Sequence, residues 1–307
     1  AEVHLTNVRH EYQGWNNCGP TTVAMLLSHY GYSDTQNQTA PILKPNANDK
    51  NVGPDELAAY VRTKPNLDAL TLINGNEQML KQLIANGFPV IVETWFTPKP
   101  NDGMGHYRLL VGYSDTQKKF SALDSYNGPN VTLGYDDFDA DWKAFNRTLV
   151  IGFPRAQSPV VNAITGYAND EALWRIAAER ASAEIAANGN DAFAWYNLGS
   201  SQSALGQHES ATKAFDRARR IGLPWRMLWY QFAIFDTYLA VGRTQDVLDL
   251  TAANLKQASD LEESHYYRGR ALEALGKNDE AIKEYREALR LNKNYEAAAK
   301  ALRSVGG

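Results

Sequence analysis

The chain has a single cysteine in 307 residues, Cys18, and no stretch of about 20 apolar residues that could cross a bilayer as a helix. One cysteine cannot close an internal disulfide, so stability has to come from packed cores. Positive charge is not in excess: 31 Lys and Arg against 35 Asp and Glu leave a net charge of −4, without the basic footprint of a nucleic-acid binder. The six histidines are scattered and show no zinc-site spacing, so neither a metal nor another cofactor is expected. Asp136, Asp137, Asp139 and Asp141 crowd together but lack the glycine and final glutamate of an EF-hand loop. They read as a solvated helix start ahead of Phe138, Trp142 and Phe145. The chain opens on Ala1, which fits a mature product after signal cleavage or a trimmed chain. Abundant Asn, Tyr and Trp tilt the expectation toward an extracytoplasmic bacterial protein rather than a cytoplasmic one.

What is present falls into two grammars, as the length of two ordinary domains allows. Residues 1–156 are rich in turn residues, aromatics and short β-branched runs. Buried strands are expected over 88–95, 107–113, 120–123 and 148–153, with a hairpin loop at 114–119. Helices are expected after Pro20, over 54–61 and over 77–85. Helices early and an antiparallel sheet late make an α+β domain.

Residues 157–307 lose the strand signals and gain alanine and amphipathic helices. Trp195, Leu198, Gly199, Gly206, Ala211, Phe215 and Ala218 are echoed by Gly269, Gly276, Ala281, Tyr285 and Ala288, with a weaker copy around Tyr238, Gly242 and Val247. This pattern resembles the tetratricopeptide (TPR) family, with units over about 192–225, 228–261 and 262–295 plus flanking helices. Small residues would let the helices of a unit approach, while Trp195, Phe215 and Tyr285 fill gaps between neighbouring units. The array either grips a peptide or protein partner or packs as an appendage. Trp225, Trp229 and Tyr230 fit core as well as bait.

Cys18 stands in Gln13-Gly14-Trp15-Asn16-Asn17-Cys18-Gly19-Pro20. Pro20 suits a first helical turn, which puts the thiol at a helix N-terminus where N–H groups and the macrodipole favour an anion. A neighbouring imidazolium would lower its pKa further. A lone cysteine can equally be a small buried hydrophobe. A nucleophile needs a base and something to orient it. His106 opens one strand of the expected hairpin and Asp124 ends the other. Strand pairing sets residue 106 opposite about 126, so Asp124 comes out beside His106. The carboxylate would accept Nδ1–H and present Nε2 to the thiol. His4 and His10 have no strand-fixed carboxylate, His29 is too far along the helix, and His208 and His265 belong to the repeats. Gln13 offers a side-chain amide which, with the Cys18 N–H, could receive an oxyanion, or it could simply cap the loop. Trp15, Asn17, Trp95 and Gly105, with the 98–105 loop, are the expected substrate-binding walls.

Gln13…Asn17-Cys18-Gly19-Pro20-Thr21-Thr22, Gly105-His106-Tyr107…Val111-Gly112-Tyr113 and Leu123-Asp124-Ser125-Tyr126 together resemble the C39-like peptidase family, papain-like cysteine peptidases related to domains that clip double-glycine leaders. The resemblance implies Cys18 as nucleophile, His106 as base, Asp124 as orienting acid and Gln13 in the oxyanion hole. Gln13 precedes Cys18 by five residues where papain-like enzymes have six. The membrane and ATPase segments of transporter-fused members have no counterpart here, so the double-glycine substrate does not carry over. The expected function is peptide-bond hydrolysis on a peptide or protein substrate, with the repeats holding that substrate or a partner. Acyl transfer or transpeptidation by the same residues, and a retired scaffold for protein–protein interaction, are the alternatives.

Overall fold

The computed structural model describes residues 1–307. They form two compact units, one of Ala1–Leu43 with Val52–Ala183, the other of Lys44–Asn51 with Glu184–Gly307. No helix is long and apolar enough to cross a membrane.

The first unit runs β1 (Glu2–His4), α1 (Cys18–His29), α2 (Gln36–Leu43), α3 (Pro54–Arg62), β2 (Leu67–Leu72), α4 (Glu77–Ala85), β3 (Val90–Phe96), β4 (Met104–Ser114), β5 (Lys119–Asp124), β6 (Gly128–Gly134), α5 (Tyr135–Lys143), β7 (Leu149–Pro154), α6 (Ser158–Thr165) and the start of α7 (Asp170–Ala187). The seven strands make one antiparallel sheet in the order β2-β7-β3-β4-β5-β6, with β1 paired to the far end of β4. Strand alternation divides the core. Ile91, Leu109 and Val111 pack with Val23, Leu26, Leu57 and Val61 from α1 and α3. Val90, Val92 and Leu110 pack with Leu80, Leu83 and Trp142 from α4 and α5. Covered on both faces, β3 and β4 read as nearly continuous apolar runs.

The expected hairpin is present. Leu109 faces Leu123 and Leu110 faces Ala122, the register expected from the loop position, with a bulge between Leu110 and Gly112; the pairing ends at Leu109 and Leu123, short of residue 106. The sequence did not announce β1, β2, β6 or α2. Asp136 and Asp137 lie in the first turn of α5, and Asp139 accepts two bonds from Arg147, at 2.6 and 2.7 Å.

The second unit continues α7 into α8 (Ala192–Ala204), α9 (His208–Ile221), α10 (Ala233–Ala240), α11 (Thr244–Gln257), α12 (Glu262–Ala274), α13 (Asn278–Leu291) and α14 (Glu296–Ser304). Three helical hairpins share one turn. Gly206, Gly242 and Gly276 have φ of +73°, +76° and +73°, and the N–H after each reaches back five residues, from Gln207 to Gln202, Arg243 to Tyr238 and Lys277 to Leu272. The middle hairpin, weak in sequence, keeps this geometry, with Val247 buried where its neighbours have Ala211 and Ala281. The aromatic packing differs from expectation. Tyr196, not Trp195, is fully buried, and Phe215 and Tyr285 lie against the glycine of their own hairpin, Gly199 and Gly269. Those glycines leave the room that the rings occupy. Trp229 is buried, while Trp225 is exposed. The segment Lys44–Asn51 is tied to the start of α12, Lys50 to Asp260 at 2.8 Å and Asn51 to Glu263 at 2.9 Å.

Candidate active site

Helix α1 begins at Cys18, so its first N–H groups have no partner inside the helix. The preceding residues turn tightly, with Asn16 at φ +54°, a conformation asparagine tolerates. Asn17 does not cap α1 with its side chain. Its Nδ2 donates instead to Gln36 Oε1 at 3.0 Å, and the same oxygen accepts from Gly14 N at 2.6 Å. Gln36 Nε2 then donates to Tyr12 O at 2.7 Å and Glu11 Oε1 at 2.9 Å. One amide on α2 thus fixes residues 11–17.

Cys18 is partly exposed and lies near enough to His106, which is buried near the start of β4, for each to shift the other's acidity. His106 Nε2 donates to Asp124 Oδ1 at 2.9 Å. The ring is therefore turned opposite to the expected sense: Nε2 serves the carboxylate and Nδ1 is left for the sulfur. Asp124 is the last residue of β5, one beyond the final β4–β5 pair of Leu109 with Leu123.

Asp124 is fully buried and richly bonded. Oδ1 also accepts from Tyr126 N at 2.8 Å and Asn127 N at 2.9 Å, while Oδ2 accepts from Arg108 Nε at 2.9 Å and Asn127 Nδ2 at 3.0 Å. Burial works to raise its pKa, but these bonds and the charges of His106 and Arg108 hold the carboxyl far below its ordinary range. Burial would also raise the Cys18 thiol. His106, with the backbone N–H groups of Tyr107 and Gly19, outweighs it and brings the thiol below its ordinary value. Burial would lower His106, and Asp124 and Cys18 raise it instead.

Gln13 is held by both ends of a short contact, its N–H to Ser125 O at 2.9 Å and its Oε1 accepting from Ser125 Oγ at 2.8 Å. With the oxygen so engaged, the side chain has its NH2 group to offer.

Residues 5–150 match the model described as the Peptidase C39 like family. They are a peptidase C39-like domain. Residues 194–220 and 262–295 match models of the tetratricopeptide repeat, so TPR repeats follow the C39-like domain. Among solved structures, the chain is similar to a candidate C39-like peptidase from Bacillus anthracis, 19% identical over 50% of this chain and 98% of that one, TM-score 0.42. It is also similar to YrrB, a TPR protein with an unusual peptide-binding site, 14% identical over 43% of this chain and 67% of that one, TM-score 0.37. MamA from Desulfovibrio magneticus RS-1 is 17% identical over 45% of this chain and 94% of that one, TM-score 0.33. No curated protein matches the chain. The assignment of both domains rests on the family models.

Within the C39-like domain the expected wall residues have separate placements. Trp15 is 75% exposed beside the Cys18 turn. Asn17 spends its amide on Gln36. Gly105 precedes His106 and faces Trp95 in the ladder. The Trp95 indole lies against Gly103 and stacks on Phe145, 6.1 Å between ring centres.

Four residues of this region were not singled out from the sequence: Gln36, Ser125, Arg108 and Glu93. Arg108 and Glu93 carried a signal, a charge inside a run expected to be buried. Glu93 is buried opposite Tyr107, and its burial and the Cys18 sulfur push its carboxyl well above the ordinary value.

Proposed function

We propose that the C39-like domain is a cysteine-type peptidase. The observation that carries this reading is that His106, hydrogen-bonded to Asp124, lies near enough to the only thiol in the chain for each to shift the other's acidity. At rest the proton sits on the imidazole and the charge on sulfur, favoured by the carboxylate on one side and the first turn of α1 on the other. The sulfur attacks the carbonyl carbon of a peptide bond and the carbonyl oxygen becomes an oxyanion. The Gln13 NH2 and Cys18 N–H are the donors for it. As the C–N bond breaks, His106 passes its Nδ1 proton to the departing amine and a thioester remains. His106 then takes a proton from water, the hydroxide displaces the sulfur, and a free acid leaves.

The repeats serve this activity by holding the substrate or a partner protein. Their helical hairpins form a surface of the kind used for peptide recognition.

The test is a peptide library incubated with the full chain and read by mass spectrometry, with Cys18→Ala as control. Cleavage that disappears in the variant supports the reading. No cleavage by the intact chain overturns it, and products carrying an added amine in place of a free acid replace hydrolysis by acyl transfer.

A further inference from the structure

A guanidinium in the middle of Tyr107-Arg108-Leu109-Leu110-Val111 is out of keeping with a strand covered on both faces. Arg108 is only 5% exposed, so its charge must be compensated inside the protein. Two residues after His106, it shares that residue's side of β4 and reaches the same acid. Nε donates to Asp124 Oδ2 at 2.9 Å, and Nη1 donates to Thr94 Oγ1, on the strand that pairs with β4. The guanidinium carbon lies 5.3 Å from the centre of the Phe96 ring, which in turn lies 5.0 Å from that of His106. The planar fork is thus fixed by a hydroxyl, a ring face and a carboxylate.

We infer that Arg108 is a positioning residue: it locks the Asp124 carboxylate in the orientation that His106 needs and shares that carboxylate's charge. The inference rests on the roles of Cys18, His106 and Asp124 proposed above. Two cations meet one carboxylate, the imidazolium through Oδ1 and the guanidinium through Oδ2. An imidazolium facing an undivided carboxylate would keep its proton tightly. With Arg108 holding the other oxygen, His106 is bound in place yet gives its proton up to the leaving amine more readily. Other groups face this network. Cys18 comes from α1 and acts on Glu93 of β3, and the charge of Arg108 also acts on Asp141 of α5. His10 Nε2 donates to the backbone oxygen of Asp124 at 2.9 Å. Of all these, only Arg108 and His106 place a cationic side chain on the Asp124 carboxylate.

The experiment uses the full chain with Arg108→Met, which removes the charge at similar volume, and Arg108→Lys, which keeps the charge without the fork. The His106 ring protons are titrated by NMR in a Cys18→Ala background, which separates the imidazole from the thiol. Peptide hydrolysis is followed with Cys18 in place. In Arg108→Met, His106 is expected to titrate about one pH unit higher. In Arg108→Lys it is expected to titrate close to the parent, while kcat falls about tenfold at unchanged KM because orientation is lost. A folded Arg108→Met chain whose His106 titrates where the parent's does overturns the inference. If that variant does not fold, an Arg108→Lys chain with the parent's kcat overturns it. If no chain cleaves peptide and the titration still moves, the inference about Arg108 stands and the peptidase reading falls.

Discussion

His106 reaches Asp124 through Nε2, at 2.9 Å, and that choice of nitrogen leaves Nδ1 as the one available to Cys18. The thiol then depends on the imidazole for its acidity, since burial alone would raise it. Iodoacetamide should label Cys18 with a midpoint below the ordinary 9.0. In His106→Gln the opposing influence is gone and burial acts nearly unchecked, so the midpoint should move up and labelling at pH 6 should slow about tenfold or more. Rates measured across pH 5–10 check this. Equal profiles for the two proteins would remove His106 from the chemistry of the sulfur.

Ser125 directs Gln13. Its hydroxyl donates to Gln13 Oε1 at 2.8 Å, which fixes the end of the amide that points away. Gln13→Ala should cost about 10²- to 10³-fold in kcat, the usual loss for one oxyanion donor. Ser125→Ala removes the brace but leaves the amide, so a smaller loss is expected, about tenfold, with stability lowered by about 1 kcal/mol. Steady-state kinetics and urea melts on both variants decide it. A Ser125→Ala chain with the parent's kcat would show that Gln13 needs no such help.

Much of this site was readable because hairpin pairing is local arithmetic. A loop near residue 116 sends 106 toward 126, and the observed pairs 109–123 and 110–122 follow that rule. The same arithmetic carries no information about ring orientation. Which nitrogen of His106 meets Asp124 is a matter of side-chain placement that strand pairing does not decide, and the Tyr126 and Asn127 N–H groups that bond the same carboxyl oxygen left no sign in the sequence. Gln36 was illegible for another reason. It lies about twenty residues from the loop it fixes, on a helix without strong apolar periodicity, and nothing in Gln36-Asn37-Gln38 marks one amide as structural. In the repeats, the glycine turns were plain from spacing. The choice of Tyr196 over Trp195 for burial was not, because adjacent aromatics on a helix differ only by a rotation that neighbouring helices decide.

Gly269 shows what that packing tolerates. A Cβ there would come within 2.5 Å of the Tyr285 ring, which is itself fully buried. Gly269→Ala gains some helix propensity but forces that ring aside, so a net loss of about 1–3 kcal/mol is expected. Pairing it with Tyr285→Leu makes room and should recover part of the loss. Circular dichroism melts of the single and double variants test this, and a stabilised Gly269→Ala protein would mean that the close approach is not tight.

Glu93 makes a prediction whose sign runs against the usual carboxylate. Most partnered acids titrate low in the folded protein, and their stabilisation fades as pH falls. Glu93 titrates well above its ordinary 4.5, through burial and the nearby Cys18 sulfur. Below 4.5 it is protonated in both folded and unfolded chains and costs nothing. As pH rises past 4.5 the unfolded chain ionises it while the folded one does not, so stability drains away up to the folded pKa. Glu93→Gln keeps the shape and removes the titration. Its stability relative to the parent should therefore be flat at pH 4 and below, and should be higher at pH 6 and 8. Denaturant unfolding at those three values measures the difference. A gap that stays constant with pH would mean that Glu93 is ionised in the folded protein, and that the wall beside Cys18 carries a negative charge at neutral pH.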